Sequence, residues 1–465
     1  MKKIVALFIA AAFAALTAAC SPANKMAGAS GEVVSPEPKE NKQELTILYR
    51  PRDKNSTIKD SEFNRRYIKQ FEEQFGVKVR FVAPAGANNI EDIKKAFASK
   101  LYAKDGPELI FYDRTFFLLD QLTKQGALVN AKGRIPNMDK MYDSLLKDDM
   151  YYIPVGIHYD SIALNNEKLD ELAIKQIPLD WTKKDFRQIW DKWLDKSPRF
   201  FIFDEYDELT EMYFRDLNYY DSESNKVLMN TPEMKEAIKN MRNEIFSGSY
   251  KLNQGYTYEN YYNMFREPQS EEYQNVLKII WSEEYRRDRL KDVHFGDLTN
   301  LLRASEIHNA MSKGLTVLPE QADKKAVLKS YGFAINKNGK NLELAYEFIN
   351  GILSNETQMD MLNEVYERYN FYPVNKEIEK DIKNYPTEKG LNEKALEVMD
   401  YALNQLKSGE LILDADFNRN EKNKLYGLAL YNTFKPVFSD KTYSEEELSQ
   451  ELQKVEDELN LRVSE

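Results

Sequence analysis

Cysteine is almost missing from this chain: its 465 residues include one, Cys20. A monomer with a single thiol forms no internal disulfide, no CxxC redox pair and no Cys-ligated zinc site. Histidine is nearly as scarce, and His158, His294 and His308 lack metal-ligand spacing. Also absent are a GxSxG elbow, a P-loop, a GxGxxG turn and an HExxH pair, so the familiar signatures of serine hydrolysis, nucleotide binding and zinc proteolysis are not there. Nor is there an excess of positive charge. Sixty-five Lys and Arg against 76 Asp and Glu give a net charge of −11, which repels nucleic-acid phosphates, and no local basic patch reverses that. No nucleic-acid partner and no cofactor are expected.

What is present suits a soluble globular protein: 42% hydrophobic and 30% charged residues, with lysines and acids interleaved as on solvated helix faces. A chain of 465 residues is too long for one ordinary core, so two α/β lobes are expected. Aromatic content of 12% fits sugar stacking and an ordinary large core equally, and the crowded Tyr256, Tyr258, Tyr261 and Tyr262 share no single helical face.

The N-terminus has its own logic. Lys2 and Lys3 precede an apolar run from Ile4 to Leu16, too short to span a bilayer but suited to the core of a secretory signal. Leu16-Thr17-Ala18-Ala19-Cys20 follows and resembles the lipobox of bacterial lipoproteins, in which the cysteine becomes the lipidated N-terminus. The pattern departs in one place: Thr17 stands three residues before the cysteine, where Leu is usual, and Leu16 sits one earlier. The competing reading is cleavage after Ala29 in Ala27-Gly28-Ala29. Lipidation at Cys20 makes 1–19 a signal peptide and 20–43, rich in Ser, Pro, Gly, Ala, Lys and Glu, a flexible tether to the extracellular face of the cell membrane.

From Glu44 onward strands and helices alternate. Leu45–Tyr49 reads as a strand; Phe63, Tyr67, Phe71 and Phe75 recur at near-helical spacing, and Gly76 stops that helix before a second strand, Val77–Val82. Asn89 is placed to cap a helix with Ile90, Ile93, Phe97 and Leu101 on its buried stripe. After Asp105-Gly106-Pro107 comes Glu108–Tyr112, an apolar strand of the kind buried on both faces of a parallel sheet. In such β-α-β-α-β sheets ligands sit beyond the carboxyl ends of the strands, so the loop after Tyr112 faces the expected site. A second lobe starts near Ser161. Trp181, Trp190 and Trp193 are read as packing residues, Arg199–Phe203 and Val276–Ile280 as strands, and Leu448, Leu452, Val455 and Leu459 as the docking stripe of a last helix.

In this order the pieces resemble the extracellular solute-binding proteins of ABC importers, family 1, in particular the carbohydrate-binding branch that includes the maltodextrin-binding proteins. The residues that carry the likeness are Gly106–Tyr112, Gln125–Leu128, Tyr152–Pro154, Ala163–Lys168, Pro178–Trp181, Val317–Pro319, Gly332–Asn336, Leu344–Ile349 and Tyr372–Lys376. The resemblance implies an α/β, type II periplasmic-binding-protein-like clamp, in which two lobes built on doubly wound sheets are joined by a three-crossing hinge near 157–161, 321–327 and 353–357. Lobe one is then 44–157 plus 327–354, and lobe two 161–320 plus 357–465.

It further implies a non-enzymatic monomer that captures a sugar or oligosaccharide and passes it to the transmembrane subunits of an ABC permease. Alternatives are a peptide or polyamine ligand, a sensor built on the same clamp, and a glycoside hydrolase using two carboxylates. By position, Tyr112, Asp113 and Arg114 resemble the family's ligand-binding loop, and Asp204, Glu205 and Tyr206 its counterpart across the cleft, with Trp281 and Tyr372 as further contacts. Carboxylates accept paired hydroxyl hydrogen bonds, a guanidinium donates several, and aromatic faces cover the C–H side of a pyranose. The bland readings are a helix cap or surface ion pair for Asp113 and Arg114, and core packing for Tyr206 and Trp281.

Overall fold

The computed structural model describes residues 43–49, 62–83, 90–112, 119–194, 199–200, 203–252, 256–267, 270–280, 299–363, 370–417 and 421–464. Cys20, the signal and nearly all of the tether lie outside these residues.

The predicted alternation appears as β1 (Glu44–Leu48), α1 (Glu62–Phe75), β2 (Lys78–Val82), α2 (Ile90–Leu101) and β3 (Leu109–Tyr112), followed by β4 (Ile153–Tyr159) and β5 (Ile162–Asn165). Next come α3 (Lys183–Leu194), α4 (Phe203–Phe214), α5 (Pro232–Ile245), β6 (Leu315–Leu318), β7 (Val327–Ile335), α6 (Leu342–Ile352), β8 (Tyr372–Pro373), α7 (Glu393–Ser408), β9 (Ile412–Leu413), α8 (Glu421–Phe438) and α9 (Glu445–Ser464). One seven-stranded sheet runs in the order β8-β4-β7-β3-β1-β2, with β9 also paired to β7. It is mixed: β1 is parallel to β2 and β3, while β7 is antiparallel to β3 and β4.

Strand β7 can lie between two neighbours only because one position has no side chain. Its register shifts at Tyr331/Gly332, where a Cβ on Gly332 would run into the Ile153 carbonyl. Facing it on β4, Gly156 leaves room for the Tyr331 ring. Helix α1 packs on this sheet through Tyr67 and Phe71, each ring edge-on to Phe348 at 5.2 and 5.1 Å, and the Tyr67 hydroxyl donates to the Phe348 carbonyl at 2.5 Å.

Two large hydrophobic cores result. The first gathers residues from Leu45 to Tyr159, from Leu301 to Val317, and from Ala326 to Leu413. The second gathers Leu164 to Val276, Leu318, and Leu425 to Leu459. A smaller cluster on the sheet's other face holds Phe97, Leu101 and Ile110. The segment expected in lobe two, 357–465, therefore divides: Met361, Leu362, Tyr372 and the buried stripe of α7 join the first core, and the second core is rejoined from Leu425. At 353–357, where a hinge crossing was expected, the chain stays with the first core, since Leu353 and Met361 both belong to it.

The tryptophans pack as read. Trp181 is fully buried and donates its Nε1–H to the Pro319 carbonyl at 2.9 Å, while along α3 Phe186 stacks on Trp190 and Trp190 meets Trp193 edge to face. Leu448, Leu452 and Leu459 seat α9 on the second core. Of two further predicted strands, one is shortened to two residues and the other is a helix. Arg199–Phe200 is the whole of the first strand, and α4 begins at Phe203, with Asp204 and Glu205 in its first turn, where the helix dipole favours acidic residues. The second, Val276–Ile280, is the end of a helix, Glu271–Ile280. Read from Tyr273, the series Tyr273, Val276, Leu277 and Ile280 has helical spacing, which a five-residue window hides.

Candidate functional site

Because β4 runs parallel to β3, the carboxyl ends of β1, β2, β3 and β4 share one edge of the sheet. In open α/β sheets this edge is where ligands bind. Tyr112 is the last residue of β3, paired with Gly332, and therefore stands on it. Asp113 and Arg114 follow outside the described residues, as does Trp281. Asp204, Glu205 and Tyr206 occupy the first turn of α4, on the side of the second core rather than at a strand end.

Tyr372 sits in β8 opposite Ile157, 1% exposed within the first core. Its ring lies among core residues, and burial raises its phenol above the usual tyrosine range. The structure thus places Tyr112 and Tyr372 in one sheet, separated by β7 and β4.

The sequence did not single out the polar residues that gather where the chain passes between the cores. At the first passage, after β4, the buried His158 places Nε2 3.0 Å from Asp160 Oδ1, and Lys329 on β7 pairs with the same carboxylate. Burial works to raise the Asp160 pKa, but the His158 hydrogen bond and the Lys329 charge outweigh it and hold the carboxyl below its ordinary range. Asn300 closes the passage from the other side: its Oδ1 accepts the Tyr159 amide at 3.2 Å, and residues 299–301 bond to 159–161 through their backbones. Below it Arg303, 5% exposed, lies 3.6 Å from Glu306 and 3.5 Å from Glu388 and donates to the Leu362 carbonyl at 2.7 Å. Burial raises the Glu306 carboxyl above its usual range, with Arg303 opposing it.

At the second passage, between β6 and β7, Lys324 meets Glu320 at 3.1 Å and Glu211 of α4 at 3.3 Å. Arg215 donates to Gln321 Oε1 at 2.8 Å and meets Asp323 at 3.3 Å. Burial opposes the Lys324 charge, but Glu320 and Glu211 prevail and hold its pKa above the usual lysine range. Lys324, Glu320, Glu211, Arg215 and Gln321 line a cavity of about 130 Å³ between α4 and the passage. Helix α4 therefore carries the predicted Asp204, Glu205 and Tyr206 on its first turn and Glu208 and Glu211 on the cavity wall. Two signals were available in the sequence: the 204, 208, 211, 215 spacing of charged residues, and Glu320 directly after Val317-Leu318-Pro319. Among the described residues no helix is long and apolar enough to cross a membrane.

This architecture is shared with solved proteins. A solute-binding protein of an ABC transporter from Thermotoga lettingae, bound with alpha-D-tagatose, is similar at a TM-score of 0.52 and 14% identity, over 90% of this chain and 100% of that one. A sugar transporter protein from Rhizobium etli in an open conformation is similar at 0.51 and 13%, over 89% and 99%. An ABC substrate-binding protein from Listeria monocytogenes in complex with cycloalternan is similar at 0.50 and 15%, over 91% and 100%. No family model matches the sequence, and no curated protein matches it. With nearly the whole length of each chain covered, this protein has the type II periplasmic-binding-protein-like fold, mixed α/β with a mixed sheet.

Proposed function

We propose that the protein is the solute-binding component of an ABC importer, taking a sugar or oligosaccharide between two lobes and delivering it to the permease. The observation that carries this reading is the fold, matched over nearly the full length of binding proteins, three of which are named for sugars or solved with them. Two cores joined through polar passages suit a clamp whose closure desolvates solute and lobes together. The shared strand edge with Tyr112 forms one wall, with Asp113 and Arg114 following it; Asp204, Glu205 and Tyr206 on α4 supply the other, and Trp281 adds an aromatic face. Tyr372 then acts from beneath the wall, through packing. The protein performs no chemistry on its ligand, works as a monomer, and is held to the outer face of the cell membrane through lipid on Cys20.

Thermal-shift screening of residues 20–465 against mono- and oligosaccharides, peptides, amino acids and polyamines tests the reading, because a ligand bound only by the folded state raises Tm. A rise with one glycan class is expected. A rise with peptides or polyamines alone would keep the clamp and overturn the sugar, and turnover of a bound glycan would overturn the non-enzymatic reading.

A further inference from the structure

Two of the passages between the cores bend at definable points; another, between Leu413 and Leu425, lies partly outside the described residues. In the second, the Trp181 Nε1–H donates to the Pro319 carbonyl at 2.9 Å, the Ala322 amide donates to the Trp181 carbonyl at 2.7 Å, and Lys183 N donates to Asp323 Oδ1 at 3.0 Å. With the Lys324–Glu211 pair, these bonds fix 319–324 to the second core. The chain is next held at Ala326, whose carbonyl accepts the Ile412 amide at 3.0 Å and which belongs to the first core. The bend is thus confined to Lys325 and its two peptide links. In the first passage Asp160 is held to the first core by His158 and Lys329, the Ser161 amide donates to the Thr299 carbonyl at 3.0 Å, and Ile162 pairs with Leu318 of the second core, which leaves the Ser161–Ile162 link as the bend.

One side chain spans the two bodies beside these bends. Tyr159 is 2% exposed and rooted in the first core, yet its hydroxyl accepts the Glu320 amide at 3.2 Å, on the second-core side of the second bend. The same hydroxyl donates to Gln405 Oε1 on α7 at 3.2 Å, which orients it and anchors it to the first core. A phenol hydroxyl donates one hydrogen bond and accepts others, so this arrangement uses both capacities across the joint.

We propose that Tyr159 is a positioning residue for closure: its hydroxyl bolts the two passages together and sets the resting angle of the clamp, with Gln405 holding the bolt in line. This rests on the two-lobe reading above and adds a control point that is not among the predicted ligand contacts, at the carboxyl end of β4. A contact that holds one angle also sets how much of the ligand's binding free energy is spent on reaching the closed form, since apparent affinity scales with the population of the competent conformer.

The test needs no ligand. In the full chain carrying Cys20→Ser, spin labels are placed at Lys340→Cys, exposed beside the first core, and at Lys454→Cys, exposed on α9. The distance between them is then measured by double electron–electron resonance. Tyr159→Phe keeps the ring, and a broadened or displaced distribution is expected. Gln405→Leu should displace it in the same sense, and the double variant no further than Tyr159→Phe alone. Distributions that superimpose on the parent in both single variants would overturn the proposal; if Tyr159→Phe does not fold, Gln405→Leu decides alone. For a sugar found by the screen, Kd should tighten by about fivefold in Tyr159→Phe, since loss of one hydrogen bond that holds the resting angle raises the population of the closed form. If no sugar binds, the solute class fails while the ligand-free distances still decide the role of Tyr159.

Discussion

The two cores reach close packing by different means. In the first, backbone lies against backbone: β7 passes β4 where Gly332 abuts the Ile153 carbonyl, and Gly156 admits the Tyr331 ring. Methionines are buried in both, Met138, Met141, Met150, Met361 and Met399 in the first and Met212, Met229, Met234, Met241 and Met264 in the second, where side chains wrap around a polar anchor. That anchor is Glu244, which accepts from Arg187 at 2.7 Å, Tyr213 at 2.5 Å, Tyr250 at 3.0 Å and the Trp190 Nε1–H at 3.1 Å. A sheet whose register depends on missing Cβ atoms has no way to yield, whereas thioether side chains re-pack at small cost. The β7–β4 contact of the first core therefore resists change, whereas the methionine sites of either core accommodate it.

Substitutions measure that contrast. Gly332→Ala should be the costliest, destabilising by about 3 kcal/mol, because the obstacle is main chain and cannot rotate away; urea unfolding that shows a loss under about 1 kcal/mol would break the comparison. Glu244→Ala should cost about 2 kcal/mol. It strands four donors, but Glu244 also borders an open depression of about 500 Å³ through which water reaches them. Met241→Leu, at a fully buried site in the same core, should cost less than about 1.5 kcal/mol. A loss as large as that of Gly332→Ala in the same unfolding assay would show that a methionine site is no more forgiving than the β7–β4 contact.

How much of this was legible in the sequence depended on range. Residues 44–112 could be read because Tyr67, Phe71 and Phe75 repeat at helical spacing and the apolar strands are bounded by Gly76 and Gly106-Pro107. The helix ending at Ile280 was misread because its apolar stripe continues beyond the window, to Tyr273. Which core claims an amphipathic helix is not a local property at all. The buried faces of α7 (Val398, Met399, Ala402, Leu403, Leu406) and α9 (Leu448, Leu452, Leu459) carry the same kind of residue, yet they serve different cores. The site followed the same rule. Strand order pointed to Tyr112, while Tyr159 and Gln405, or Lys324 and Glu211, become partners only through the fold, since they come from distant parts of the chain.

The place of β7 in the sheet has a temporal side. It lies between β3 and β4 and also takes β9 as a partner, yet it is made after all of the residues from Ser161 to Leu318. Until Val327–Ile335 is in place, β3 and β4 have no strand to join them, and the N-terminal β-α-β-α-β unit has an open flank. Pairing at such long sequence separation slows folding, so the central sheet closes only after the residues between β5 and β6 have been looped out of it.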